Sequence, residues 1–338
     1  MKEDCYSAVL QCVAINLNKA YSIFFEGRSK FPKLKSKHHK QSIQYPQNVK
    51  VVGDCLDLPK IGVVKAVFHS PIEGKAKTVT ISKTPTDKYF ASILCEIEDG
   101  ANQSTGGKRL GIDLGLKDFA IVHDGEEVSK HSNPKYLKCH EKNLAMKQKN
   151  FARKVKESNS RNKYRKLVAK VHELVSNSRQ DFLHKLSRKL VDKSQIIVVE
   201  NLHIKGMVRN RKLSNSISDV GWGMFVNFLD YKLKREHSQL IEIGRFFPSS
   251  KTCSCCGHVL DDLTLDIRES DCPSCGTHHD RNDNAALNIR NEGIRILSRG
   301  AERTFLLSRG GVRPPTRKGK GHLSMKPEAY THRKRECR

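Results

Sequence analysis

Two cysteine pairs carry the strongest chemical signal in the sequence: Cys253-Ser-Cys-Cys256-Gly and Cys272-Pro-Ser-Cys275-Gly, with 15 residues between Cys256 and Cys272. A C-x-x-C pair takes two thiolates from one tight turn, and the glycine after each pair lets that turn close. Two such knuckles facing each other give four sulfur ligands and no open position, the donor set of a structural zinc ion. Cys255 is a spare thiol able to exchange register with Cys253 or Cys256. His278 and His279 follow closely; with four thiolates in place they read as exposed loop histidines. A second chemistry belongs to two carboxylates at the ends of apolar runs, Asp113 in LGIDLG and Glu200 in IIVVEN. A rigid sheet that holds acids at its edge can gather divalent ions for phosphoryl chemistry. Either acid alone is more often a turn former or a solvated strand end. Their weight comes from order: an acid on an early strand, an acid on a later one, the cysteine pairs, then the acidic helix start at 280–286.

Strands and helices must hold these groups in place. Leu110–Asp113 and Phe119–His123 alternate as strands, and turns at Gly115 and at Asp124–Gly125 lead to a third short strand, making a hairpin meander. Gln195–Glu200 is a continuous apolar run, the pattern of a buried central strand, and Leu240–Gly244 predicts another. Between them, Asn133–Asp192 predicts a basic helix and then a packing helix with Val171, Leu174, Val175, Phe182, Leu186 and Leu190 toward the core. Asp219–Glu236 is helical again, and Trp222, spaced with Phe225, Val226 and Leu229, reads as a core residue rather than a base-stacking platform. Upstream, Tyr6–Phe25 predicts one amphipathic helix with Val9, Val13, Leu17, Ala20 and Phe24 on one face. Ile61–Phe68, Lys77–Lys83 and Tyr89–Glu98 predict a small antiparallel β unit. The polar run Asp99–Gly107 marks a domain boundary, and the aperiodic basic tail after Gly310 reads as disordered. No internal repeat is apparent.

The chain of 338 residues carries 62 Lys and Arg against 36 Asp and Glu, a formal net charge of +26 spread over distant segments. That distribution favours a polyanionic partner, with nucleic acid first among them. No apolar run approaches spanning length and no signal peptide is read, so a membrane partner is not expected. Of the 11 cysteines, four fall in the two pairs and the rest are scattered, which points to metal in a reducing compartment rather than a disulfide scaffold. Lys147, Lys149, Arg153, Lys154, Lys156, Arg161, Lys163, Arg165 and Lys166 surround the basic helical region rather than forming one stripe. In a basic chain these are candidate phosphate contacts, of the kind that position a backbone without reading bases. Arg209–Lys212 add to the same groove or decorate a loop.

The succession GIDLGLKDFA, IIVVENLHIKGM, FFPSSKTCSCCG and CPSCGTHHDRNDNAALNI resembles the signature blocks of TnpB proteins, the transposon-encoded relatives of type V CRISPR effectors. The resemblance covers roughly residues 30–300, including KLSRKL and the segment around Trp222. It implies an α/β chain with an RNase H-like (RuvC) nuclease domain, an inserted zinc ribbon, and a preceding helix with a small wedge or oligonucleotide-binding-like β unit. On that reading residues 1–35 are a remnant of the recognition helices and 36–105 the wedge-like unit. Residues 106–249 are the nuclease domain with its basic helical insert, 250–279 the zinc ribbon, 280–300 the last nuclease helix and 301–338 a basic disordered tail. Asp113 and Glu200 match the first two acids of the RuvC site, and Cys253, Cys256, Cys272 and Cys275 match the zinc ligands.

Two departures stand out. The family's third acid is the second Asp of an Asp-Arg-Asp-x-Asn-Ala block, and here that position is Asn282. An amide offers a neutral carbonyl oxygen where a full negative charge is expected, so divalent-ion affinity should fall. Asp283 is a possible substitute, but on a helix it lies about 100° around from Asn282, and Asp280 lies about 200° around. Relatives also carry an additional N-terminal segment that begins the β-barrel and the recognition helices. The resemblance implies an RNA-guided DNA endonuclease of an insertion sequence that cleaves phosphodiesters with Mg²⁺, with structural Zn²⁺. Its partners would be guide RNA from the element end and double-stranded target DNA, with no small-molecule substrate, in the cytoplasm of a bacterium or archaeon at the nucleoid. Two alternatives stay open: a nuclease-dead RNA-guided DNA-binding repressor, and a truncated inactive copy.

Overall fold

The structure, a computed structural model, describes residues 6–34, 41–69, 71–96, 107–210, 213–264, 267–309 and 334–337, with the backbone alone for 300–309 and 334–337. The chain divides into two compact units, 1–101 with 320–338 and 102–319. The first contains α1 (Ser7–Phe25), β1 (Gln41–Tyr45), β2 (Lys50–Val52), β3 (Cys55–Leu58), β4 (Gly62–Lys65), β5 (Lys75–Lys83) and β6 (Tyr89–Glu96). β1 pairs with β5 and β5 with β6, all antiparallel, while β2, β3 and β4 form a separate meander. Alternation along β5 turns Val79 inward, where it meets Val9, Tyr45, Leu56, Leu58, Ile93 and Cys95. Strands β1, β2 and β3 are not expected from the sequence, because at five, three and four residues each is too short for a period-2 pattern to stand out, even where Leu56 and Leu58 of β3 alternate inward.

The reading of α1 needs two corrections. Its buried residues are Ala8 and Val9, whereas Val13 is 60% and Leu17 51% exposed, so the expected apolar stripe does not face the core of its unit. The helix is also 19 residues long with a mean hydropathy of 1.2, long and apolar enough to cross a membrane by length and composition, contrary to the expectation that no run approaches that length. The reason is compositional: Ser7–Phe25 holds its polarity in uncharged amides and hydroxyls and a single charged residue, Lys19, and Asn16 donates to Gln44 of β1 at 3.4 Å.

The second unit runs β7 (Lys108–Leu114), β8 (Asp118–His123), β9 (Val128–Ser132), α2 (Tyr136–Ala152), α3 (Asn159–Val191), β10 (Ser194–Glu200), α4 (Ile204–Met207), α5 (Ser214–Val220), α6 (Trp222–Arg235), β11 (Gln239–Ile243), β12 (Glu269–Asp271), β13 (His278–Asp280) and α7 (Arg281–Arg309). Its five-stranded sheet has the order β11-β10-β7-β8-β9, with β11, β10 and β7 parallel and β8 and β9 antiparallel. Because side chains alternate across a strand, the sheet has two distinct faces. Leu110, Ile112, Ala120, Val122, Ile197 and Val199 pack against α3 and α6, where Leu183, Leu186, Phe225, Leu229 and Leu233 are buried. Phe119 sits edge-on to Phe182 at 5.2 Å and to Phe225 at 5.0 Å. Each such fully buried side chain contributes about 1.5–3 kcal/mol relative to exposure. Trp222 is buried in this cluster. On the opposite face Val198 and Ile243 meet Ile289 of α7.

Several boundaries differ from expectation. The helix read over Asp219–Glu236 breaks at Gly221, whose φ of 74° interrupts the helical path and separates α5 from α6. Leu174 is 50% exposed and Leu183 is fully buried, so the packing stripe of α3 shifts around the helix toward its C-terminal half. The last helix runs to Arg309 rather than 300, and β14 (Lys334–Cys337) pairs antiparallel with β6. Edge pairing uses main-chain groups and needs no hydrophobic period, so the tail gave no sequence signal for it. Of the tail read as disordered, 310–333 and 338 lie outside the described residues.

Candidate functional site

In the parallel pairing of β10 with β7, Val199 is opposite Ile112, which brings Glu200 and Asp113 level at the carboxyl edge of the sheet. The pairing of β7, β8 and β9 continues that row from Asp113 to Ile121 to Lys130. Side chains level with one another across a sheet share a face. Ile112 and Val199 face α3 and α6, so Asp113, Glu200 and Lys130 all face α7. Carboxyl edges of parallel strands are where open α/β sheets bind ligands.

Burial pushes the Asp113 carboxyl up to about 7, and the negative charge of Glu200 adds to the rise; Arg281 and the Leu114 amide oppose it. A cation beside Asp113 would offset both its burial and the Glu200 charge next to it. Glu200 also accepts a short hydrogen bond from the Ser249 hydroxyl. The Ser249 carbonyl in turn accepts from Asn288 of α7 at 2.8 Å, so strand edge, loop and helix are tied through one serine.

α7 closes over this edge. Ala286 and Arg290 approach Gly111 so closely that an added Cβ would lie 2.2 Å from the Ala286 carbonyl oxygen, and Gly293 lies against Val198 in the same way. Ala285, Ala286, Ile289 and Gly293 are buried, and Asn282 falls within that face, one turn before Ala286. Asp283 is rotated about 100° away and pairs with Lys130 at 2.8 Å. Asp280 accepts from the amides of Asn282 at 2.9 Å and Asp283 at 3.2 Å, capping the helix, and also meets Lys130 at 3.0 Å. Burial works against the Asp280 charge, yet the Lys130 hydrogen bond and these two amides hold its pKa below the usual range. The structure therefore places Asp113 and Glu200 level at one edge, puts Asn282 on the face of α7 that packs against that sheet, and gives Asp283 another partner.

The four thiols of Cys253, Cys256, Cys272 and Cys275 lie within 4.8 Å of one another, the one group of three or more metal-ligating side chains among the described residues. Cys253 and Cys275 are 3.7 Å apart and Cys256 and Cys272 3.6 Å. A tetrahedral zinc with bonds of about 2.3 Å requires sulfur separations of about 3.8 Å, so the cluster is compatible with zinc. Each knuckle closes as the C-x-x-C-Gly pattern requires: the Gly257 amide donates to the Cys253 carbonyl at 2.9 Å and Gly276 to Cys272 at 2.8 Å, with φ of 78° and 70°. His278 and His279 are not loop residues but lie on β13, since the β12–β13 hairpin begins before the knuckle and ends after it. His278 is exposed and meets Asp271 at 2.8 Å, while the partly buried His279 Nε2 stands 3.1 Å from Cys253 Sγ. Asn284 bonds the Ser254 amide and the Thr252 carbonyl, joining this cluster to the first turn of α7.

The basic residues lie on α2, the connection after it and the start of α3. Ser158 caps α3 by accepting from the Arg161 amide at 3.1 Å. Arg161 differs from its neighbours, because its guanidinium donates to the Phe151 and Lys154 carbonyls and stacks 4.2 Å from the Phe151 ring. A cleft of about 550 Å³ is lined among others by Lys117 in the turn after β7 and by Lys135, Lys138, Glu141, Asp219 and Arg268.

Comparison with known proteins follows this division. Residues 92–211, which hold both acids, match the OrfB_IS605 family, described as "Probable transposase". Residues 222–289, which hold the cysteines and Asn282, match the TNB domain of Cas12f1-like proteins. A Streptomyces pristinaespiralis protein, named as an RNA-guided DNA endonuclease, is 34% identical over 96% of this chain and 79% of its own length. The chain belongs to the TnpB family of RNA-guided DNA endonucleases. The InsQ protein of Escherichia coli, with the same description, is 28% identical over 88% of this chain and 77% of its own. A cryo-EM structure of the Cas12f1–sgRNA–target DNA complex aligns with 80% of this chain and 68% of that one at 15% identity and a TM-score of 0.48.

Within this TnpB-family chain, sequence reasoning missed Ser249, Lys130 and the capping role of Asp280. Ser249 precedes the first knuckle without any spacing that marks it, and Lys130 lies in a polar strand. Strand register alone brings Lys130 level with the acids.

Proposed function

We propose that Asp113 and Glu200, with the side-chain carbonyl of Asn282, hold Mg²⁺ and that the chain hydrolyses DNA phosphodiesters at this edge under RNA guidance. The observation that carries the reading is the levelling of two like-charged acids on one face, at the carboxyl edge of parallel strands, with Asp113 pushed up to about 7. A divalent ion there supplies activation of water and stabilisation of the leaving oxygen. The chain's own residues do the positioning. Ser249 orients Glu200, and Asp113 is fixed by the packing of β7 between β10 and β8. Lys117, Lys135, Lys138 and Arg268 offer cations to the phosphates of a strand lying along the cleft they line. Guide RNA and target DNA are the partners this reading requires, with Lys147, Lys149, Arg153, Lys154, Lys156, Lys163, Arg165 and Lys166 as backbone contacts. Zn²⁺ in the four-cysteine cluster is structural, since all four positions are filled by sulfur.

The test is cleavage of matched DNA by protein purified with its element-end RNA in Mg²⁺, compared with Asp113→Ala. Cutting by the unmodified protein that is lost in the variant is the expected result; equal cutting removes the assignment. One observation favours a second reading, guided DNA binding without cleavage: the neutral Asn282 leaves the edge one negative charge short. Guide-dependent binding without cutting, and cutting restored by Asn282→Asp, would select that reading.

A further inference from the structure

Lys130 lies level with Asp113 and Glu200 on their face of the sheet, two strands from Asp113. Its ammonium meets both remaining acids at the start of α7, Asp280 at 3.0 Å and Asp283 at 2.8 Å. One lysine therefore neutralises the helix cap and the only acid next to Asn282 at the same time. These two pairs stand on opposite sides of the Asn282 position in sequence, so they fix the rotation of the first turn. We propose that Lys130 is a positioning residue of the metal centre: it fixes that turn so that Asn282 faces Asp113 and Glu200, and it withholds the Asp283 carboxylate from a cation bound there. The inference rests on the metal-centre reading above and goes beyond it, because it explains why a neighbouring acid does not replace the charge missing at position 282.

The geometry makes the competition explicit. Asp283 lies about 100° around the helix from Asn282, and it reaches the centre only if its side chain leaves Lys130 and the first turn rotates. The Asp283 oxygen that stands 2.8 Å from the ammonium is buried, so leaving Lys130 would cost that oxygen its charge partner. Removing the ammonium leaves Asp280 with its two amide donors and takes the 2.8 Å cation from Asp283, so a divalent ion held at the edge can draw the Asp283 carboxylate toward it.

The experiment measures Mn²⁺ binding to the purified protein by loss of the free-ion EPR signal, with Asp113→Ala as the reference for binding at this site. Wild type, Asp283→Asn and Lys130→Arg are expected to bind alike, within about twofold. Lys130→Met is expected to bind roughly fivefold or more tightly, because one more carboxylate is available, and the double variant Lys130→Met with Asp283→Asn should lose that gain. Binding that depends on Asp113 but is weakened by Asp283→Asn alone overturns the role given to Lys130 and leaves the metal centre standing. Equal binding by wild type and Asp113→Ala removes the centre itself, and the role of Lys130 with it. A folded Lys130→Met that binds no more tightly than wild type also overturns the role of Lys130; if that variant unfolds the first turn, as circular dichroism and melting would report, Lys130→Gln takes its place in the same comparison.

Discussion

At the scale of single residues, burial decides which charges are costly. Lys232 of α6 is largely enclosed, with its ammonium donating to the His184 carbonyl at 2.8 Å and the Ser187 hydroxyl at 2.7 Å. Burial pushes its pKa down to about 8, and the Arg188 charge adds to the fall. The folded protein therefore loses this proton near pH 8 and the unfolded chain near 10.5. Between those values the unfolded state binds more protons, so this contribution makes stability rise with pH across that window. Below pH 8 the native state carries the cost of an enclosed ammonium, about 1–2 kcal/mol once solvent screening is allowed for. Lys232→Met should be the more stable protein at pH 7, with the difference in urea midpoint shrinking toward pH 10. A pH-independent difference would show that the ammonium is not penalised in the fold.

The seating of α7 on the sheet depends on two places without side chains. A Cβ at Gly111 would stand 2.2 Å from the Ala286 carbonyl oxygen and 2.6 Å from the Arg290 nitrogen, both backbone atoms that cannot rotate away. Gly111→Ala should therefore cost about 2–4 kcal/mol in urea denaturation. Gly107→Ala, where nothing lies within 4 Å, is the matched control and should be near neutral. The same substitution should lower cleavage activity beyond its effect on folding, because lifting α7 moves Asn282 away from Asp113. Activity unchanged in a folded Gly111→Ala protein would mean that the helix position is not coupled to the centre.

For the whole molecule, the net charge of +26 makes nucleic-acid affinity a function of salt. Each phosphate contact contributes about 0.9 to the slope of log affinity against log salt on duplex DNA. Replacing the exposed Lys149, Arg153 and Lys163 together with glutamine should flatten that slope by about 2–3, read by fluorescence anisotropy of a labelled duplex across a KCl series. Arg161→Gln should behave differently, lowering stability and leaving the slope nearly unchanged, since its guanidinium is taken by the Phe151 and Lys154 carbonyls. A slope indifferent to the triple substitution would move the binding surface elsewhere.

What the sequence determined by itself was chemistry that local spacing dictates. The two C-x-x-C-Gly knuckles form as written because each is one turn with its own hydrogen bond, and the apolar runs ending in Asp113 and Glu200 form strands because continuous burial leaves few alternatives. The helical wheel likewise placed Asp283 to one side of Asn282 before any partner was known. Tertiary structure decided what depends on register between distant strands. Lys130, Ser249 and Asp280 meet the centre only through β9, the loop before the ribbon and the start of α7, and no short-range pattern encodes those meetings. The same holds for Arg161, whose charge reads as a phosphate contact until its carbonyl partners are seen, and for α1, whose apolar face is periodic yet largely exposed. Periodicity states which side chains share a face; only packing states what that face meets.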